Sequence, residues 1–325
     1  MKKRKGPAVV LLFLIFFAAC APQAEPDAVT VQLKWVHQAQ FAGFYIALEK
    51  GFFADENLDI TLIEGGPGID VIDSVVSGRA DFAVTAPNVL FTEVDEGEPL
   101  KAIATIFQIS PVVFVSMAES GITRPHDFID KKISILGVQD FEMQLHAMMD
   151  FLGIPLGSMD YKDHTYTIDD LTSGAVDVQG YYVTSGLVRL RDAGYHANLI
   201  YPGDYGIHLN GDCLIATDAT LEEKPDITRR FLRALLKGYT YAIEHEEEAV
   251  QATMPYALED DANLQRSMWS ASIPLISTGS RTIGLMDRDA WQATRDTLLD
   301  QNLINQPIPL EQVLDFSFIE NGLIE

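Results

Sequence analysis

Apolar and polar residues alternate over Val31, Gln32, Leu33, Lys34 and Trp35, the period-2 rhythm of a half-buried strand. A polar turn follows, His37-Gln38-Ala39-Gln40. Phe41, Tyr45 and Leu48 then recur at helical spacing, and Gly51 is placed to end the helix. Asp59 to Ile63 is apolar again and reads as a second strand. Strand, helix and strand in this order predict a βαβ unit with a parallel pair. In open α/β sheets ligands lie beyond the carboxyl ends of the strands. Trp35 to Gln40 and Glu64 to Gly68 both occupy such ends.

The same alternation of periods runs on. A helix is expected over Ile69–Val76, with strands over Asp81–Thr85, Leu100–Phe107 and Val112–Val115. A second α/β unit is expected between Ala118 and Asn210. Its strands are Lys132–Leu136, Asp160–Tyr166, Val176–Tyr182 and Ala197–Tyr201, and its helices Phe141–Leu152, Leu171–Ala175 and Thr184–Ala193. Leu214–Thr217 then returns to the first unit, which helices over Phe231–Glu244, Glu246–Ala257 and Trp291–Gln301 complete. One unit interrupted by another gives two lobes, 29–117 with 211–325 and 118–210, around a cleft. Such inter-lobe clefts are favoured ligand sites.

The ends add a location. Met1 to Lys5 is basic, Ala8 to Ala19 is apolar but too short to span a bilayer, and Ala18-Ala19 precede Cys20. A signal peptide over 1–19, lipidation of Cys20 and a Pro-rich linker to residue 28 are expected, with an incidental cysteine after an ordinary signal as the alternative. The body then keeps one thiol, Cys213, beside Leu214 and Ile215, which suits a buried small apolar residue. The formal charge is −24. Residues 1–19 hold four basic side chains and no acid, so cleavage deepens it to −28. Nucleic acid is excluded as a partner, and the membrane is reached through the anchor rather than through headgroup charge.

Candidate chemistry is that of binding. Trp35, Phe41, Tyr45, Phe141, Tyr181 and Tyr182 offer aromatic faces for a flat heteroaromatic ligand, though at least one of Phe41 and Tyr45 is expected in the core. Gln38, Gln40, Asn88 and Gln139 carry donor and acceptor on one side chain, as the polar edge of such a ring requires. Thr85 and Asn88 follow a strand on the ligand side, where helix capping is the competing role. Gly65-Gly66-Pro67-Gly68 reads either as a tight turn or as a ligand contact. Asp140, Glu142 and Asp204 are expected near the cleft, as acceptors or as solvated charges. The histidines show no metal spacing, and neither a GxSxG nor a P-loop is present, so neither a catalytic nor a metal site is assigned.

Several stretches carry a resemblance. Trp35, then Phe41-Ala42-Gly43-Phe44-Tyr45, then Gly65-Gly66-Pro67-Gly68 and Ser77-Gly78-Arg79-Ala80-Asp81-Phe82 resemble the ABC-transporter substrate-binding proteins related to thiamine-pyrimidine synthesis enzymes. The likeness covers most of the chain and weakens after Leu221. It implies a two-lobed, type II periplasmic-binding-protein fold. It also implies a lipid-anchored protein outside the cytoplasm that passes a small ligand to a membrane permease driven by an ATPase subunit, without a cofactor of its own. Pyrimidine binders of the family follow the Trp by Asn three residues on and His six residues on. Here those places hold Gln38 and Phe41, and after Tyr181 the family's amide is lost. With Gln38, Gln40, Phe41, Ala42 and Gly43 the chain is similar to the family's riboflavin-binding lipoproteins. The resemblance therefore implies riboflavin as transported ligand, with an aminopyrimidine as alternative. A pyrimidine-synthesis enzyme and a sensory module are lesser alternatives.

Overall fold

The computed structural model describes residues 25–279 and 282–319. The expected signal peptide and Cys20 lie outside the described residues. No helix among the described residues is long and apolar enough to cross a membrane.

Among the described residues, ten strands form two five-stranded sheets. The first is ordered β2-β1-β3-β10-β4, with β1 at Asp27–Gln32, β2 at Leu58–Ile63, β3 at Phe82–Thr85, β4 at Leu100–Thr105 and β10 at Cys213–Thr217. β1 is parallel to both β2 and β3, as the βαβ reading requires, and β10 returns antiparallel between β3 and β4. The second sheet is ordered β7-β6-β8-β5-β9, with β5 at Val112–Met117, β6 at Lys132–Leu136, β7 at Asp160–Asp163, β8 at Val178–Tyr182 and β9 at Ala197–Ile200. β5 is antiparallel to β8 and β9. Each sheet thus takes one antiparallel strand from a chain crossing.

Four details depart from the sequence reading. β5, expected to close the first unit, hydrogen-bonds into the second sheet, so the first crossing comes at residues 106–111. Asp27 and Ala28, expected in the linker, already pair with Leu58 and Asp59. The alternation of Val31, Gln32 and Leu33 was also expected to leave one face wet. All three are buried, because helices cover both faces of the sheet. On one face Phe44, Phe231, Leu235 and Trp269 build the core, and on the other Phe91, Leu298 and Trp291. The helix Ala262–Ile276, which carries Trp269, is absent from the sequence reading. Its Ser and Asn content is indifferent to helix, and Pro274 lies inside it.

The crossings between lobes are themselves paired. Ile106 and Phe107 donate their N–H groups to Asp212 O at 2.8 and 3.0 Å, Gly211 N–H to Phe107 O at 2.9 Å, and Ser110 N–H to Leu209 O at 2.8 Å. A Cβ on Gly211 would sit 2.8 Å from Phe107 Cβ, so glycine permits this close approach. Cys213 is fully buried beside it, and burial pushes its thiol pKa up, as an inert structural cysteine requires.

Candidate functional site

The cleft floor begins where β1 ends. Gln32 is buried, and its Nε2 donates to Leu33 O at 3.0 Å and Glu64 O at 3.1 Å, while Ser74 Oγ donates to its Oε1 at 3.1 Å. One amide therefore ties the loop after β1 to the loop after β2. Gly65 N–H completes the seam by donating to Trp35 O at 3.0 Å. A Cβ on Gly65 would meet Leu33 O at 2.2 Å and Trp35 N at 2.6 Å. Both obstacles are backbone and cannot rotate away. Gly65→Ala is accordingly expected to destabilise the protein by about 1–3 kcal/mol, the range for overpacking, and to displace Trp35. Denaturant melts with a parallel ligand titration check this, and an unaltered midpoint would sink it.

Within this frame a polar chain crosses the cleft floor. Lys34 Nζ lies 2.7 Å from Asp212 Oδ1 and 3.2 Å from the Tyr182 hydroxyl. Tyr182 donates its hydroxyl proton to Asp140, in the first turn of the helix Gln139–Leu152. Gln40 Nε2 donates to Asp212 Oδ2 at 3.1 Å, and Gln38 Nε2 donates to Gln40 Oε1. Burial works against the Lys34 ammonium, but Asp212, Tyr182 and Asp140 outweigh it and hold its pKa above the ordinary lysine value. The buried Gln38 Oε1 finds no hydrogen-bond partner among the described residues.

Around this floor runs a cleft of about 710 Å³. Trp35, Gln38 and Gln40 line it from the first lobe, and Phe141, Tyr181 and Tyr182 from the second. The Trp35 ring faces Tyr166 across the lobes, with centroids 5.3 Å apart and planes at 38°. Tyr166 holds φ +60, a left-handed conformation that costs a non-glycine residue about 1–2 kcal/mol. His164 anchors it. Tyr166 N–H donates to His164 Nδ1 at 3.1 Å, and His164 Nε2–H donates to Gly180 O at 2.9 Å, partners that set the neutral tautomer. At the rim Arg189 Nη1 reaches both carboxylate oxygens of Glu259, at 2.6 and 2.5 Å, joining the lobes.

Burial lowers the His164 pKa from 6.5. A depressed base contributes stability that is complete above its unfolded value and lost as pH falls toward the folded one. His164→Gln is therefore expected to flatten the decline in stability between about pH 7 and 5 relative to wild type. Urea melts at each pH measure this, and parallel curves for the two proteins would refute the assignment.

The structure brings Trp35, Gln38, Gln40, Phe141, Tyr181 and Tyr182 together and leaves other candidates elsewhere. Phe41 is core, packed edge-on to Phe44. Tyr45 is fully buried, stacked on Tyr256 with centroids 4.6 Å apart, and hydrogen-bonded to His37. Thr85 and Asn88 are buried behind the wall, where Asn88 Nδ2 donates to Gln139 Oε1 at 3.4 Å across the lobes. Asp204 lines a separate hollow with Gln108 and His208, and Glu142 accepts the Gly137 N–H at 2.8 Å. Sequence reasoning passed over Lys34, His164, Tyr166, Arg189 and Asp212. Lys34 looked like the outward residue of a strand and Tyr166 like a strand end. Only the left-handed φ of Tyr166 marks it, and that is invisible in the sequence.

A family model described as NMT1/THI5 like matches residues 38–249. The riboflavin-binding protein RibY of Chloroflexus aurantiacus is 26% identical over 324 residues, covering 94% of this chain and 90% of that protein. The formylaminopyrimidine-binding protein of Halalkalibacterium halodurans is 25% identical over 318 residues, covering 93% and 95%. Among solved structures, the periplasmic aliphatic sulphonate binding protein SsuA from Escherichia coli superposes with a TM-score of 0.73 at 14% identity, covering 88% of this chain and 97% of that one. The fold is that of the periplasmic binding proteins.

Proposed function

The chain belongs to the NMT1/THI5-like family, and from that premise we propose that it is the solute-binding component of an ABC importer and that its ligand is riboflavin. The observation that carries the reading is the aromatic pair Trp35 and Tyr166, one ring from each lobe across the same cleft. Carbon faces pack at about 3.5 Å, so a flat ring held between two others needs them about 7 Å apart. Riboflavin enters as the lobes open on the paired crossings, and they close on the bound ring with the two aromatics about 2 Å further apart than the 5.3 Å between them in this structure. Gln38 Oε1, which is buried beside Trp35, accepts an N–H from the ring edge and so loses the penalty of an unpaired acceptor. A cleft of about 710 Å³ falls within the range that encloses a drug-sized molecule.

In this reading the chain carries out no reaction. It is anchored through lipid on Cys20 outside the cytoplasm, and the closed form docks on a permease coupled to an ATPase subunit. The same amide and aromatic set suits an aminopyrimidine, and the name of the second relative supports that alternative. Titration of the purified protein with riboflavin, followed by flavin fluorescence, separates the two. Saturable quenching at submicromolar ligand is expected. Unquenched flavin together with a thermal shift by an aminopyrimidine would transfer the assignment to the pyrimidine.

A further inference from the structure

The charges around the cleft are not balanced. Among the described residues lining it, the cations are Lys34 and Arg189, and each already has its own carboxylate. Lys34 is 2.7 Å from Asp212, and Arg189 Nη1 donates to both carboxylate oxygens of Glu259. Asp169, on the cleft wall, and Asp140, buried behind the cleft-lining Tyr182 whose hydroxyl it accepts, are then left in excess. His164 adds no positive charge, because both ring nitrogens are bonded as in the neutral form.

Two helix starts near the cleft carry carboxylates where an anion would ordinarily dock. Backbone N–H groups at a helix start attract phosphate. The helix Gln139–Leu152 opens between Val138 and Phe141, which both line the cleft, yet its first turn carries Asp140 and Glu142. Glu142 takes the Gly137 N–H. The helix Val71–Val76, beyond the glycine-rich loop, has Ile72 N–H and Asp73 N–H donating to Asp70 Oδ1 at 3.0 and 2.9 Å. Among the described residues, an entering dianion therefore meets no lining lysine or arginine without a carboxylate of its own, and the charges of Asp169 and Asp140 oppose it.

We infer that the cleft discriminates by charge: it admits the neutral form of its heteroaromatic ligand and rejects the phosphate monoester, with Asp140 and Asp169 as specificity-determining residues. The inference rests on the reading of this cleft as the ligand site and adds which chemical form is taken. A flavin nucleotide then becomes a ligand only after phosphomonoester hydrolysis, the reaction class that must supply this protein from nucleotides.

The test is calorimetric titration of the purified protein with two ligand pairs: riboflavin with its 5′-phosphate, and an aminopyrimidine alcohol with its phosphate monoester. The neutral member is expected to bind at least about 100-fold more tightly than its ester, the size of a few charge–charge repulsions across a partly buried site. Raising the salt concentration is expected to narrow that gap by screening the repulsion while the neutral affinity stays constant, a readout that needs no variant. Asp140→Asn keeps an acceptor for the Tyr182 hydroxyl and removes the charge, and is expected to narrow the gap about tenfold. An ester bound within about tenfold of its neutral partner overturns the inference, as does a gap indifferent to salt. Rejection of the ester within the pyrimidine pair alone, with no flavin binding, would end the riboflavin assignment and leave the charge rule standing.

Discussion

Lys34→Met is expected to destabilise the folded protein by about 3–5 kcal/mol, the cost of leaving one member of a buried ion pair unpaired. Asp212 is only 3% exposed, and its other side-chain partner is the neutral amide of Gln40. Without the ammonium, that carboxylate remains in a low-dielectric pocket beside Asp140 and must either take up a proton or draw in water. The Tyr182 hydroxyl would lose Lys34 at 3.2 Å as well. A second change isolates the cause. In Lys34→Met/Asp212→Asn the buried charge is gone, while an amide oxygen still accepts from Gln40, so a substantial part of the loss should return. Denaturant melts of the single and double variants measure both values. A loss below about 1 kcal/mol for the single variant would mean that the pair behaves as a solvated surface bridge, contrary to the burial described here.

The second large effect concerns binding. Trp35→Ala and Tyr166→Ala are each expected to raise the riboflavin Kd at least tenfold, about 1.4 kcal/mol, from the lost stacking and apolar contact. The two rings grip one ligand ring from opposite faces, and losing either loosens the hold of the other, so their effects should not add. The double variant should fall short of the sum, since either ring alone holds one face only. Trp35→Phe, which keeps a ring, should recover most of the affinity. Melting curves serve as the control: Trp35 and Tyr166 stand at the cleft rather than in the main core, and stability should change less than binding. Full affinity in a folded Trp35→Ala protein would move the ligand away from this cleft.

The two predictions differ in how far the chain announces them. Trp35 was legible because it ends an apolar strand on the side where α/β sheets bind ligands, and Gln38, Gln40, Tyr181 and Tyr182 follow the same logic. Phe41 and Tyr45 obeyed that logic and did not reach the cleft. Their spacing marks one face of the helix Ala42–Glu49, but spacing does not say whether that face meets the cleft or its neighbours. Tyr45 turned to Tyr256, and Phe41 to Phe44 within the core. Lys34 was hidden for the opposite reason. A lysine between apolar residues reads as the wet side of a strand, and only the arrival of Asp212, Tyr182 and Asp140 from distant segments turns it inward.

By itself the sequence determined most of the order of strands and helices, the helix Ala262–Ile276 excepted, and the return of Leu214–Thr217 to the first sheet. It could do so because periodicity and glycine placement are local and act through each residue's own backbone and immediate neighbours. Tertiary structure alone decided that β5 joins the second sheet, that Asp212 meets Lys34, that Arg189 meets Glu259, and that Tyr166 faces Trp35. Each of these contacts joins residues far apart along the chain. Its free energy comes from burial and charge pairing that exist only after both lobes have folded and the crossings have brought them together, so no local pattern encodes it.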